Sequence, residues 1–154
     1  ELWDSVIGEV QKVYSVIRSE SHEIYDSSQN NKKFLEDLEQ NITTIFGNSQ
    51  IEMQTEFLLD ADISLPAETK LCLLSMIREG STNILKYAKG KGASILLYNE
   101  KNKIHLKIKN EGSPKKKSIK YGFGLTHLKK MVEDIGGIFT VQSNEKGFEI
   151  SAEI

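Results

Sequence analysis

The chain has 154 residues, 38% of them hydrophobic and 27% charged, enough apolar material for one core and too little for two full domains. A formal net charge of -2 excludes a protein built to coat nucleic acid or an acidic membrane, and no nucleic-acid partner is expected. The lone cysteine, Cys72 in the apolar run Leu71-Cys72-Leu73-Leu74, excludes an internal disulfide framework and reads as a small core residue of a reduced, cytoplasmic interior.

No apolar stretch approaches the roughly 20 residues that span a bilayer, and no signal-peptide pattern opens the chain. The sequence starts at Glu1 inside a helical pattern and is read as a piece of a longer parent, in which any membrane anchor falls outside this stretch. Trp3, Val10, Ile17 and Ile24 recur at heptad spacing, with Val6 and Val13 between them, so the opening segment is expected to be a bundle or coiled-coil helix. Glu20 interrupts the seam, which leaves a plain amphipathic helix as the alternative. The polar run Asp26-Ser27-Ser28-Gln29-Asn30-Asn31 ends that helix, dividing the chain into a helical segment over 1–27 and a globular domain over 28–154.

In the second part, Phe34, Leu35, Leu38, Ile42, Ile45 and Phe46 recur at helical spacing and stop at Gly47-Asn48. Ile51, Met53, Thr55 and Phe57 alternate with Glu52, Gln54 and Glu56, the period of a half-buried strand. Leu65-Pro66 opens a long helix through about Tyr87, with Pro66 near the first turn, where its missing N–H costs little. Ser94 to Tyr98 and Lys103 to Lys109 read as two strands joined by the turn Asn99-Glu100-Lys101-Asn102. A loop rich in Gly, Ser, Pro and Lys precedes a helix from about Leu125 to Ile135, and Ile138 to Gln142 and Phe148 to Ile154 close the chain as a strand pair. Helices laid on one face of a mixed, largely antiparallel sheet give an α+β fold, a two-layer α/β sandwich with an added N-terminal bundle helix.

The chemistry concentrates in two places. In the helical stretch Arg78-Glu79-Gly80-Ser81-Thr82-Asn83-Ile84-Leu85-Lys86-Tyr87-Ala88, spacing by three and four puts Glu79, Asn83 and Lys86 or Tyr87 on one face. A carboxylate, an amide and a cation so arranged can order a water, ligate Mg²⁺ and meet phosphate, although an ordinary solvated helix face has the same composition. Downstream, a strand ends in Asn110-Glu111-Gly112, and Gly122-Phe123-Gly124-Leu125 leads into a helix whose N-terminal N–H groups suit phosphate oxygens. Between them, Ser113 to Lys120 is short, basic and suited to a lid over a triphosphate, or is simply a solvated loop.

These motifs resemble the histidine-kinase-like (GHKL) ATPases, the superfamily shared with gyrase and heat-shock chaperones, and especially the catalytic domains of bacterial sensor histidine kinases of the nitrate-response type. Residues 78–88 resemble their N box, Asn110-Glu111-Gly112 the first glycine box, Gly122-Phe123-Gly124-Leu125 the second, and Gly136-Gly137 with Ser143 to Gly147 the closing strand pair. The resemblance covers Lys33 to Ile154 and implies the Bergerat ATP-binding fold, with residues 1–27 a partial dimerisation and phosphotransfer helix and 28–154 the ATP-binding catalytic domain. It implies Asn83 as the Mg²⁺ ligand, Glu79 as the catalytic group positioning water or assisting transfer, and Lys86 and Tyr87 as phosphate or ribose contacts. Asn110 takes the adenine-reading position, and Gly112, Gly122, Phe123, Gly124 and Leu125 complete the nucleotide-binding set. ATP and Mg²⁺ are the implied cofactors.

Three departures fall at the base end of that pattern. Asn110 stands where the family usually has Asp, Ser113-Pro114 replaces the second glycine of the first box, and Phe148 follows Gly147 where many members have threonine.

A histidine kinase needs an imidazole nucleophile. His22-Glu23 superficially matches the phosphoacceptor pair, but only a linker and a short helix separate it from the catalytic domain, so the acceptor is expected on a dimerisation helix outside this chain. His105 falls on the polar side of a strand, and His127 in the first turn after the second glycine box. The implied function is transfer of the ATP γ-phosphoryl to that histidine, for relay to a response regulator, in a parent that is a homodimer. Two rivals stay open, an anti-sigma-factor serine kinase and a nucleotide-incompetent interaction scaffold of the same fold.

Overall fold

The computed structural model describes residues 31–87, 92–111, 123–144 and 147–154. The seam from Trp3 to Ile24, His22 and the proposed boundary near residue 27 lie outside the described residues, as do Gly112, Gly122 and the basic loop between them.

Helix α1 (Asn31–Phe46) leads into strand β1 (Met53–Leu58), helix α2 (Ala67–Tyr87), strands β2 (Ala93–Glu100) and β3 (Lys103–Glu111), helix α3 (Phe123–Asp134), and strands β4 (Ile138–Asn144) and β5 (Gly147–Glu153). The strands form one sheet in the order β1-β2-β3-β5-β4. Among the described strands only β1 and β2 pair in parallel, and α2 is the crossover that such a pair requires. The β2–β3, β3–β5 and β5–β4 pairs are antiparallel, which makes the sheet mixed and largely antiparallel.

Strand alternation determines which side chains meet the helices. Ile95 and Leu97 on β2, Ile108 and Leu106 on β3, Ile150 and Ala152 on β5, and Phe139 on β4 are buried and lie in register across the sheet. The helices supply the other half of the core. In α1, Phe34, Leu38, Ile42 and Phe46 fall every fourth residue and are all buried. From α2 come Leu73, Ile77 and Ile84, and from α3 Leu125, Leu128 and Val132. Gly80 lets α2 pack closely on the sheet, since a Cβ there would stand 2.9 Å from Ile108 Cδ1 and 3.0 Å from Ile150 Cδ1.

Among the described residues, the opposite face of the sheet carries mainly polar side chains. His105 stacks on Tyr98 with ring centroids 4.8 Å apart, and Lys103 Nζ donates to Glu153 Oε1 at 2.6 Å. At the outer edge, β1 keeps only Met53 and Phe57 half-buried and leaves Thr55 exposed, because a strand with a single neighbour is covered on one side only. Among the described residues, no helix is long and apolar enough to cross a membrane.

Candidate functional site

The site lies along α2, whose two flanks are fixed by different partners. Toward α1, Arg78 Nε donates to Asn41 Oδ1 at 3.0 Å, and Asn41 is itself oriented because its amide donates to the Asp37 carbonyl. Thr82 Oγ1 bonds back to the Arg78 carbonyl at 2.8 Å, so its hydroxyl is used within the helix. Lys70, at the start of α2, is buried with its ammonium 5.9 Å from the centre of the Phe34 ring, and burial lowers its pKa. The spacing of charged residues gave no sign of that burial.

Toward α3, the two helices run antiparallel. Cys72 Sγ donates to the Met131 carbonyl at 3.6 Å, and seven residues later the Glu79 side chain rests on Gly124, seven residues earlier in α3. The Cys72 thiol is pushed up to about 11 by burial, with Glu68 and Asp134 adding to the effect, so it is an inert core group rather than a nucleophile. At the other end of this seam, any Cβ on Gly124 would overlap the Glu79 carboxylate. Glycine at 124 is therefore what lets the carboxylate reach the first turn of α3, where unpaired N–H groups and the helix dipole favour negative charge.

Glu79 and Asn83 are half-buried on this face, and Lys86 is exposed in the last turn of α2. Tyr87 and Phe123 end and begin their helices, and their side chains are outside the described set. Leu125 is a core residue that pins α3 to the sheet. Because α3 starts at Phe123, two residues before the sequence pattern suggested, His127 sits in its second turn, on the flank between Gly124 and Met131. Burial and Lys130 lower the His127 pKa, while Glu79 acts in the opposite direction. Sequence spacing did not predict that Glu79 and His127 would share a neighbourhood.

Asn110 lies on β3, in the row that faces the helices, between Ala93 of β2 and Phe148 of β5. It is 4% exposed, and its Oδ1 is buried with no hydrogen-bond partner among the described residues. Gly147 packs so closely on the Asn110 carbonyl that a Cβ would collide with it. Five residues after α2 ends the chain reaches Gly92, whose carbonyl accepts from Glu111 N at 2.9 Å, so Asn110 lies at the end of the sheet where α2 finishes. The structure thus brings Glu79 to Gly124, puts Asn83 one turn further along α2 and Asn110 beneath that end of the helix. Among the described residues no group of three or more His, Cys, Asp or Glu side chains is placed to hold a metal ion.

No family model matches the chain. Among curated proteins it is similar to the sensor histidine kinase YxjM of Bacillus subtilis (strain 168), with 31% identity over 77 residues, 50% of this chain and 19% of that protein. It is also similar to the sensor histidine kinase LnrJ of the same organism, with 27% identity over 128 residues, 82% of this chain and 31% of that protein. The chain therefore spans less than a third of either relative. Among solved structures, the histidine kinase domain of the Erythrobacter litoralis EL346 blue-light activated histidine kinase superposes with a TM-score of 0.67 at 14% identity, over 89% of this chain and 69% of that one. The catalytic domain of histidine kinase ThkA superposes with a TM-score of 0.60 at 16% identity, over 78% of this chain and 92% of that one. The chain is thus similar in sequence to two sensor histidine kinases and shares the fold of histidine kinase catalytic domains.

Proposed function

We propose that this chain is the ATP-binding catalytic domain of a sensor histidine kinase, delivering the γ-phosphoryl of ATP to a histidine on a dimerisation helix of a longer, homodimeric parent, for relay to a response regulator. The chain would act on the cytoplasmic side of that parent, where ATP is available. The observation that carries the reading is the Glu79 carboxylate held against Gly124 at the first turn of α3, with Asn83 one turn away.

The residues fit MgATP. Asn83 supplies a neutral oxygen of the kind Mg²⁺ accepts alongside phosphate oxygens and water. Lys86, exposed at the end of α2, offers a mobile ammonium to phosphate. When bound, Mg²⁺ supplies charge neutralisation across the phosphates. Glu79 orients a water or accepts a proton at its carboxylate, and the N–H groups at the start of α3 offer hydrogen bonds to anionic oxygen. Catalysis of this kind is mainly positioning and electrostatics.

The test is thermal unfolding and titration calorimetry of the chain with ATP in the presence and absence of Mg²⁺. Nucleotide at about one hundred times its Kd should add about 2.7 kcal/mol to stability, read as a raised Tm. Asn83→Ala should remove most of the Mg²⁺ dependence while leaving the fold intact. No heat and no Tm change at millimolar MgATP would leave the chain as an interaction scaffold.

A further inference from the structure

Buried polar atoms almost always have a partner, because an orphan forfeits its hydrogen bonds to water with nothing in return. Asn110 Oδ1 and Ser81 Oγ are both buried without one among the described residues. Ser81 is two positions from both Glu79 and Asn83 and so points to another side of α2. Asn110 is different, since it lies on the helix-facing row at the end of the sheet beneath the site.

The described cross-strand neighbours of Asn110 offer no polar side chain for reading a ligand. Ala93 and Phe148, its neighbours across β2 and β5, are apolar, and the Gly147 backbone is packed on its carbonyl. A carboxylate at this position would offer only acceptors. An amide offers an acceptor at one end and a two-proton donor at the other, and a half-turn of the terminal torsion exchanges them. Since no described residue donates to Oδ1, that exchange breaks no hydrogen bond at this atom.

We propose that Asn110 reads the polar edge of a purine without preference, accepting from a 6-amino group or donating to a 6-oxo group, so that the site takes 6-oxo purine nucleotides alongside ATP. This rests on the nucleotide-binding reading above. A site that pairs with one pattern of donors rejects the other because a buried group is left unpaired, and the Asn110 amide avoids that penalty in both cases.

The experiment is titration calorimetry of the 154-residue chain with MgATP and with MgITP, which differ at the six position without the extra amino group of guanine. The wild-type Kd values should agree within about fivefold, a difference near 1 kcal/mol. In Asn110→Asp, ATP should bind roughly fivefold tighter and the ATP-to-ITP preference should rise at least about tenfold, because the charged acceptor strengthens one pairing and opposes the other. A wild-type ITP deficit larger than fivefold overturns the proposal without recourse to any variant. So does a preference that stays unchanged in an Asn110→Asp protein with a cooperative melt. Failure of both nucleotides to bind would instead overturn the nucleotide-binding reading itself.

Discussion

The two ends of the site are each built on a glycine, but the atoms above the two glycines differ in how far they can move. At the β3–β5 end, Gly147 has φ 154° and lies against the Asn110 backbone carbonyl. At the α2–α3 end, Gly124 lies against the tip of the Glu79 side chain. Backbone within a paired strand cannot retreat, whereas a carboxylate on a stem of two methylenes can swing away. The first end is rigid by construction, and the second keeps its geometry only while nothing displaces the side chain.

Substitution at the rigid end is expected to give the largest effect. Gly147→Ala would force a Cβ into the Asn110 carbonyl at a backbone angle that L-residues rarely adopt, at an expected cost of roughly 3 kcal/mol from strain and overpacking. Urea denaturation would measure it as a lowered midpoint, and a midpoint within error of the wild type would mean that the two ends do not differ in rigidity. Gly124→Ala should separate function from stability. The carboxylate can rotate out of the way and alanine favours a helix, so stability should change by less than about 1 kcal/mol. On the proposed function, phosphoryl transfer by the longer protein should nevertheless fall at least about tenfold, the scale of a misplaced catalytic group. Transfer at the wild-type rate would show that the Glu79–Gly124 contact does not set the reactive geometry.

The smallest effect concerns pH and the α2–α3 seam. Burial, with Lys130 beside it, holds His127 below its ordinary pKa, against the opposing pull of Glu79, so the folded state prefers the neutral ring. The unfolded chain then takes up the proton first. The contribution of His127 is fully present above the ordinary histidine value of about 6.5 and is lost as pH falls below it. Denaturation midpoints at pH 7.5 and 5.5 should fall less in His127→Leu than in the wild type, and equal falls would remove His127 from the pH response.

Much of this architecture was legible in the sequence because it rests on local periodicity. The apolar repeat in α1, the alternation in β3 and the polar face of α2 all reflect short-range geometry. Boundaries moved where pairing or a helix turn overrode residue preference. Strand β3 runs on to Glu111 because β5 pairs it that far, and α3 takes in Phe123-Gly124, which reads as loop on glycine content alone. The order of strands and the single parallel pair had no local signature, since they depend on which distant segments meet. For the same reason the glycine in Gly122-Phe123-Gly124 announced a close approach without naming Glu79 as its partner. The orphaned Oδ1 of Asn110 was not visible either, because burial without a partner is a property of the packed protein alone.

The one parallel pair also bears on how the molecule assembles. Met53 of β1 aligns with Ala93 of β2, and the chain between them contains the whole of α2. Closing so long a loop from a disordered chain costs entropy before any contact repays it, and a preformed helix shortens the effective path. Pairing of the edge strand is therefore favoured by prior formation of the helix bearing Glu79 and Asn83. In this topology, completion of the sheet and placement of the α2 wall of the candidate site are coupled through one connection.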